Sequence, residues 1–188
     1  MKTSEASTGG PAPLSSYLDL PRETLLNRYA GWADCVPTRI LKLSDEQLDT
    51  AFVESAGIGR WPVRVLVGHL ADCELVYSHR MRRVASEDNP TIVGFDPDAF
   101  VDAGLYGSDQ GGADKPIGGF VAVIHTVRVW TVEWLNTLDE EAFARTGLHS
   151  EDGPVSIESL LAKAVWHTEH HAVYLNRKID HMLGPERP

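Results

Sequence analysis

Residues 156–183 read SIESLLAKAVWHTEHHAVYLNRKIDHML, and their apolar pattern is the strongest indication of the fold in the chain. Apolar residues recur in it at three- and four-residue spacing, which predicts one long amphipathic helix from about Ser156 to Leu183. The Gly-Pro pair that follows is a typical helix stop. The predicted inner face of this helix carries Leu160, Ala164, Leu175 and Met182.

The same helix carries a pair of histidines beside its apolar stripe. His167 and His171 are four residues apart, so both lie on one helix face, where two imidazoles can share one metal ion. His170 lies about 100° from His171 around the helix, so we expect it to point away from that face.

A third histidine belongs to a second predicted helix, from about Pro62 to Ala85. His69 lies there beside an apolar stripe of Val63, Leu66, Leu70, Cys73, Tyr77, Met81 and Val84. Two histidines from one helix and one from another predict a three-nitrogen metal site with open coordination positions, as catalytic sites have. Three imidazoles suit zinc, nickel, copper or iron.

Several alternatives remain open for this cluster. Buried imidazoles need hydrogen-bond partners, and Asp72 and Glu74 flank the stripe as partners for His69. Cys73 follows His69 by one turn and is either a rival ligand or a small buried apolar residue. The histidines of a plain helical scaffold would only fill the core. The zincin protease motif needs Glu directly after the first histidine, where this chain has Thr168.

The rest of the chain predicts two further helices and a long connection. One helix should run from about Pro21 to Leu43, with a kink at Pro37, and another from about Ile117 to Leu138. Ser44 opens a predicted capping box. Residues 87–116 show no convincing helix, and no segment alternates as a strand would. Four amphipathic helices predict an all-α four-helix bundle, whose long crossover allows the second and third helices to run parallel.

Composition limits the kind of protein and its partners. The 188 residues fit one domain, over 17–188, behind a tail of residues 1–16 that we expect to be disordered. The net charge of −10 argues against nucleic-acid and anionic-membrane partners. Two cysteines make no disulfide framework, so we expect reduced thiols in a cytoplasm. No apolar run approaches the roughly 20 residues of a membrane span.

Several segments resemble the DinB/YfiT-like superfamily. Residues 61–74, WPVRVLVGHLADCE, resemble its second helix, and residues 153–179, with their two histidines, resemble its last helix. Arg128 matches an arginine common in its third helix. Smaller similarities are found in its long middle loop and in the stretch before its last helix, at 89–92, 95–97 and 145–149. Cys73 departs from the small or polar residue expected at its position.

The resemblance implies a four-helix bundle with up-down-down-up topology. It implies a divalent metal, nickel or zinc, held by His69, His167 and His171. It also implies a homodimer and a metal-dependent enzyme with a small-molecule substrate. Relatives are described as hydrolases or as transferases and isomerases that use low-molecular-weight thiols such as bacillithiol or mycothiol.

Two mechanisms share the predicted site. A metal-bound water becomes a nucleophile for hydrolysis, and a metal-bound thiol becomes one for transfer. Asp72 and Glu74 are our candidate catalytic residues, for orientation or proton transfer. Arg128 is our candidate for binding an anionic group of the substrate, with a structural salt bridge as the alternative. A non-enzymatic metal-binding or stress-response bundle is the competing function. The candidate dimer surface carries Val123, Val129 and Trp130.

Overall fold

The computed structural model describes residues 10–107 and 115–185. Within them, the predicted second, third and fourth helices are confirmed to within three residues at each end. The short helices that precede them are α1 (Ser15–Leu18), α2 (Arg22–Ala30) and α3 (Asp45–Leu48). The longer helices are α4 (Val63–Ser86), α6 (Ile117–Leu135) and α8 (Ile157–Leu183), and between them lie the shorter α5 (Pro97–Asp102) and α7 (Glu140–Ala144).

The predicted first helix, from Pro21 to Leu43, is wrong as one continuous helix. It is divided into α2 and two 3₁₀ turns, Trp32–Asp34 and Thr38–Lys42. Gly31 ends α2, and Pro37 has no backbone N–H with which to continue a helix. The apolar stripe nevertheless faces inward, because its members Leu25, Tyr29, Trp32, Ile40 and Leu43 are all buried.

Two smaller predictions concern the capping box at Ser44 and the tail of residues 1–16. Ser44 and Gln47 form the expected capping box at α3. Of the predicted tail, residues 1–9 lie outside the described residues, while Ser15 already begins α1. The carbonyl of Ala12 accepts a hydrogen bond from Trp166 Nε1, at 3.0 Å.

The second and third long helices run parallel, as their long connection predicts. Glu74 of α4 pairs with Arg128 of α6, and four residues later Ser78 contacts Thr131. Residue numbers therefore increase together along the two helices. Residues 108–114 of the crossover lie outside the described part of the chain.

The remaining directions complete an up-down-down-up bundle. Glu74 of α4 contacts Thr168 of α8, while the earlier His69 contacts the later His171, so α4 and α8 are antiparallel. Helix α2 runs parallel to α8, as two pairs show: Arg22 with Glu158, and Arg28 with Glu169.

A small sheet is formed by segments in which the sequence shows no alternating strand pattern. Its order is β1 (Thr91–Ile92), β2 (Thr146–His149) and β3 (Gly153–Ser156), with β1 parallel and β3 antiparallel to β2. Strands of two to four residues are too short to show a period in the sequence. Together with α5, which Asp96 caps, the sheet gives structure to a connection that we predicted to lack it. It closes the bundle at one end and places the β2–β3 turn beside α8.

The core follows the helix stripes. Buried residues of α4 and α8 form its centre, and Leu66, Leu70, Leu161 and Leu175 are almost fully enclosed. No helix in the described ranges is long and apolar enough to span a membrane.

Candidate metal centre

The antiparallel packing of α4 and α8 brings the three predicted histidines together. The ring centroid of His69 lies 5.0 Å from that of His167 and 5.1 Å from that of His171. The two rings of α8 are 4.5 Å apart, as one helix turn requires. The cluster lies between the two helices in the middle of the bundle.

Two ring nitrogens of the cluster approach each other closely. Nε2 of His69 lies 3.1 Å from Nε2 of His167. This separation suits two nitrogens that bind one ion at about 2.0–2.1 Å each, and it equally suits an N–H···N hydrogen bond in the metal-free protein. The other nitrogen of His167, Nδ1, is buried and has no hydrogen-bond partner among the described residues. The donor set and its spacing therefore fit a divalent transition metal.

Cys73 also belongs to the cluster. Its Sγ lies 3.6 Å from Nε2 of His69 and 3.9 Å from Nε2 of His167. His69, Cys73 and His167 place one donor atom each within 4.8 Å of one another. His171 is not in that closest group, although its ring borders both histidines. The structure thus offers two overlapping ligand sets, which differ in Cys73 and His171.

Burial sets the protonation of these groups. Desolvation lowers the pKa of His69 to about 4 and that of His171 to about 3, and it lowers the pKa of His167 well below its ordinary value. All three imidazoles are therefore neutral at pH 7, which is the form that binds metals. Burial raises the pKa of the Cys73 thiol, and the nearby carboxylates of Glu74 and Asp72 raise it further. This thiol is protonated at pH 7 unless a metal displaces its proton.

Aromatic rings enclose the histidines. Trp61 stacks on His171 with an angle of 19° between the ring planes, and it meets His69 edge-on. Phe95 stacks on His69, and Tyr77 lies beside His167. Trp61 and Tyr77 each line a cavity at the site as well. Phe95 comes from the middle loop and has no periodic signal in the sequence.

The predicted catalytic carboxylates have other partners. Glu74 is buried, and its carboxylate accepts hydrogen bonds from Arg128, from the Tyr29 hydroxyl and from Thr168. These are the contacts of a buried ion pair, and the catalytic role of Glu74 stays a prediction. Asp72 accepts a hydrogen bond of 2.6 Å from the hydroxyl of Tyr106.

Arg128 joins this network and lies away from the cavities at the histidines. It is only 1 % exposed, and it pairs with Glu74, at 2.5 Å, and donates to the backbone carbonyl of Tyr29. A substrate anion cannot reach a guanidinium that is enclosed in this way. The geometry therefore corresponds to the alternative that we stated, a salt bridge across the bundle, because α4 and α6 are parallel and place the two residues side by side.

Two cavities border the histidines, one at His171 and the other at His69 and His167. The first, of about 230 Å³, we call the Lys178 cavity; it is lined by Ile58, Gly59, Arg60, Trp61, Leu66, His170, His171, Tyr174 and Lys178. The second, of about 160 Å³, we call the Arg80 cavity; it is lined by His69, Cys73, Val76, Tyr77, Arg80, Phe95, Pro97, His149, Glu151, Lys163 and His167.

Sequence reasoning missed the cations that line these cavities. Arg80 follows His69 by eleven residues, about three helix turns, and Lys178 follows His171 by seven, about two turns. Both therefore lie on the histidine faces of their helices. This spacing is the signal in the sequence that could have identified them. It makes Arg80 and Lys178, like Arg128, candidates for binding an anionic group of the substrate.

Comparison with known proteins adds an independent observation. The chain is 24% identical over 174 residues to a "Putative metal-dependent hydrolase" of Oceanobacillus iheyensis, covering 89% of this chain and 94% of that protein. It is 30% identical over 172 residues to the "Putative metal-dependent hydrolase YfiT" of Bacillus subtilis, covering 87% of this chain and 90% of that protein.

A solved structure of YfiT from Bacillus subtilis, described as having an unusual four-helix bundle topology, superposes with a TM-score of 0.75. It shares 21% sequence identity, and the match covers 95% of this chain and 97% of that one. At this identity the match establishes the fold. The family model of the DinB superfamily matches residues 11–175, which is most of the chain. This chain is therefore a member of the DinB superfamily.

Proposed function

We propose that this protein is a metal-dependent enzyme, most simply a hydrolase, that binds a divalent transition metal through His69, His167 and His171. The observation that carries the proposal is the 3.1 Å separation of two Nε2 atoms inside a cluster of three neutral imidazoles. The relatives named "Putative metal-dependent hydrolase" support it. Nickel and zinc are the metals that we propose.

The residues of the chain have distinct parts in this scheme. The three imidazoles supply nitrogen donors without charge and leave coordination positions for a water or a substrate atom. His69, His167 and His171 would hold a divalent ion there, and the chemistry it would supply is a bound water with its pKa lowered towards about 7, or a deprotonated bound thiol. Trp61 and Phe95 cover the imidazole faces and keep bulk water from them. Asp72 stays our candidate for proton transfer, held in place by Tyr106.

Metal content tests the proposal. We expect about one transition-metal ion per purified chain, measured by mass spectrometry, and none in a His167→Ala/His171→Ala variant. His79→Ala is the matched control, because His79 lies on the same helix as His69 but is exposed. It should retain the metal.

The outcomes separate the candidate functions. Absence of metal from the native chain, with melting unchanged on adding zinc or nickel, would leave a helical scaffold. Bound metal without metal-dependent turnover of esters, amides or thiol acceptors would favour the non-enzymatic metal-binding bundle. Transfer from a low-molecular-weight thiol, with no hydrolysis, would replace the hydrolase by an S-transferase.

We also propose a small-molecule substrate and a homodimer, which the resemblance implies, and a cytoplasmic location, which the two cysteines without a disulfide framework favour. On the candidate dimer surface, Val129 and Trp130 are exposed, while Val123 packs partly against the core. Light scattering on the purified chain would test the dimer.

A further inference from the structure

Arg80 is a buried cation at the edge of the proposed metal site. It is only 8 % exposed, and it lines the Arg80 cavity together with His69, Cys73 and His167. Its Nη2 donates to the backbone carbonyl of Val93, at 2.8 Å. Among the described residues, no carboxylate forms an ion pair with it. A buried charge is normally paired, so the guanidinium has unused capacity for an anion.

The other buried arginines show the usual arrangement. Arg64 binds the carboxylates of Asp45 and Asp49, and Arg128 binds that of Glu74. Each is therefore neutralised within the protein. Arg80 differs from both because it borders open space.

His149 supplies a second unused group in the same cavity. Its Nδ1 accepts the backbone N–H groups of Glu151 and Asp152, each at 3.3 Å. A neutral ring that accepts at Nδ1 carries its proton on Nε2. This Nε2 is buried and has no partner among the described residues. Burial and the charge of Arg80 lower the pKa of His149, which keeps the ring neutral although the Asp152 carboxylate lies 3.4 Å away.

The remaining lining shapes the ligand. Val76, Tyr77, Phe95 and Pro97 give the cavity an apolar wall. Its volume of about 160 Å³ corresponds to roughly five water molecules, so it accommodates a small organic molecule and not a polymer. Lys163 adds positive charge but is paired with Asp152. Glu151 is an exposed carboxylate at the same cavity and opposes an anion there.

We propose that the Arg80 cavity binds the carboxylate of a small organic acid with an apolar body, through the guanidinium of Arg80 and the Nε2–H of His149. The planar fork of an arginine matches a carboxylate with two parallel hydrogen bonds. A ligand held in this way lies against His69 and His167. The proposal rests on the proposed function in one respect: it makes small carboxylates the substrate class of the same site.

Binding of benzoate tests the proposal. The full chain is titrated at neutral pH, both as purified and after removal of metal with EDTA, and the affinity is measured by ligand-observed NMR. We expect benzoate to bind more tightly than its neutral analogue benzamide, and more tightly than inorganic phosphate. Arg80→Met should weaken benzoate binding about tenfold or more, because a charge-assisted hydrogen bond is lost.

Arg83→Met is the matched control for that variant. Arg83 lies on the same helix and also donates to a backbone carbonyl, that of Thr91 in β1. It lines neither cavity. It should leave benzoate affinity unchanged. Equal weakening by both arginine variants would mean that the hydrogen bond to the backbone at residues 91–93 matters, and not the charge at the cavity. That result would overturn the proposal.

A second variant keeps the test decisive if Arg80→Met does not fold. Glu151→Gln removes an exposed carboxylate and should tighten benzoate binding several-fold, with benzamide unchanged. Unchanged benzoate affinity in that variant, equal binding of benzoate and benzamide, or a preference for phosphate would each reject a carboxylate site. The metal-free measurement separates this outcome from a failure of the proposed function, which is tested by the metal content and the metal-dependent turnover of the native chain.

Discussion

At the scale of single residues, two side chains compete to complete the ligand set of His69 and His167. His171 lies one helix turn after His167, and Cys73 lies one helix turn after His69. The His171 ring is neutral because burial lowers its pKa, whereas the Cys73 thiol must lose a proton whose pKa burial raises. We therefore expect that a metal would gain His171 as a ligand without any deprotonation, and Cys73 only with one.

This difference predicts opposite behaviour of two variants. Removing a hydrogen-bond partner of a metal ligand lowers metal affinity roughly 10–100-fold. We expect His171→Ala, which removes a ligand itself, to lower the affinity further. Cys73→Ala should keep about one ion per chain. Mass spectrometry of the dialysed proteins checks both. Metal retained by His171→Ala and lost by Cys73→Ala would establish the set of His69, Cys73 and His167 instead.

Lys178 gives a pH-dependent prediction at the same scale. Its ammonium donates to the carbonyl of Gly59, at 2.6 Å, and burial lowers its pKa from 10.5 to about 8. The folded chain therefore binds fewer protons than the unfolded chain between pH 8 and pH 10.5. Stability from this group is lowest below pH 8 and rises as the pH increases through that window. The effect is on the order of 3 kcal/mol.

Lys178→Met isolates this contribution, because methionine does not titrate. The free energy of unfolding of the native chain, relative to the variant, should rise between pH 8 and pH 10. Urea unfolding at several pH values provides the measurement. A difference that stays constant over this range would contradict the expectation.

At the scale of secondary-structure elements, Gly68 shows how α4 is fitted to the loop that follows α5. A Cβ at this position would lie 2.5 Å from Cδ1 of Tyr106, whose buried ring lies directly against the helix. Tyr106 also holds Asp72 through its hydroxyl. The glycine therefore weakens the helix locally so that the crossover can pack beside the site.

This packing predicts a change of sign between two backgrounds. In the native chain, Gly68→Ala should destabilise the fold by about 1–3 kcal/mol through overpacking. In a Tyr106→Ala background the same change should stabilise it by about 1 kcal/mol, because alanine is the better helix former. Thermal unfolding of the four proteins completes the cycle. The same sign in both backgrounds would mean that Tyr106 is not the obstacle.

At the scale of the whole molecule, the proposed metal links the second and last helices of the bundle. A ligand that binds only the folded chain stabilises it by about 2.7 kcal/mol at one hundred times its dissociation constant. We therefore expect zinc or nickel to raise the melting temperature of EDTA-treated protein by about 5–10 °C. The His167→Ala/His171→Ala variant should show no such rise, and a rise there would indicate binding elsewhere.

Much of the architecture could be predicted from the sequence, because it follows from local rules. The apolar periods of α4, α6 and α8 define those helices, and the spacing of His167 and His171 puts both on one face. The long connection before α6 allows the parallel pair of helices. The prediction of a single first helix was wrong, because Gly31 and Pro37 interrupt the helix although the apolar period continues through them.

Which charged residues lie at the site depends on the packing of the helices against one another. A helix period gives the direction of a side chain around its own axis, but not the neighbour that it meets or the depth at which it lies. Arg128 and Arg80 both sit on amphipathic helices, yet Glu74 neutralises Arg128 while Arg80 borders the cavity at the histidines. In the same way, only the packing of α4 against α8 placed Cys73 beside His167. The sequence by itself thus determined the helices and the histidine cluster, and the packing between helices determined the chemical surroundings of that cluster.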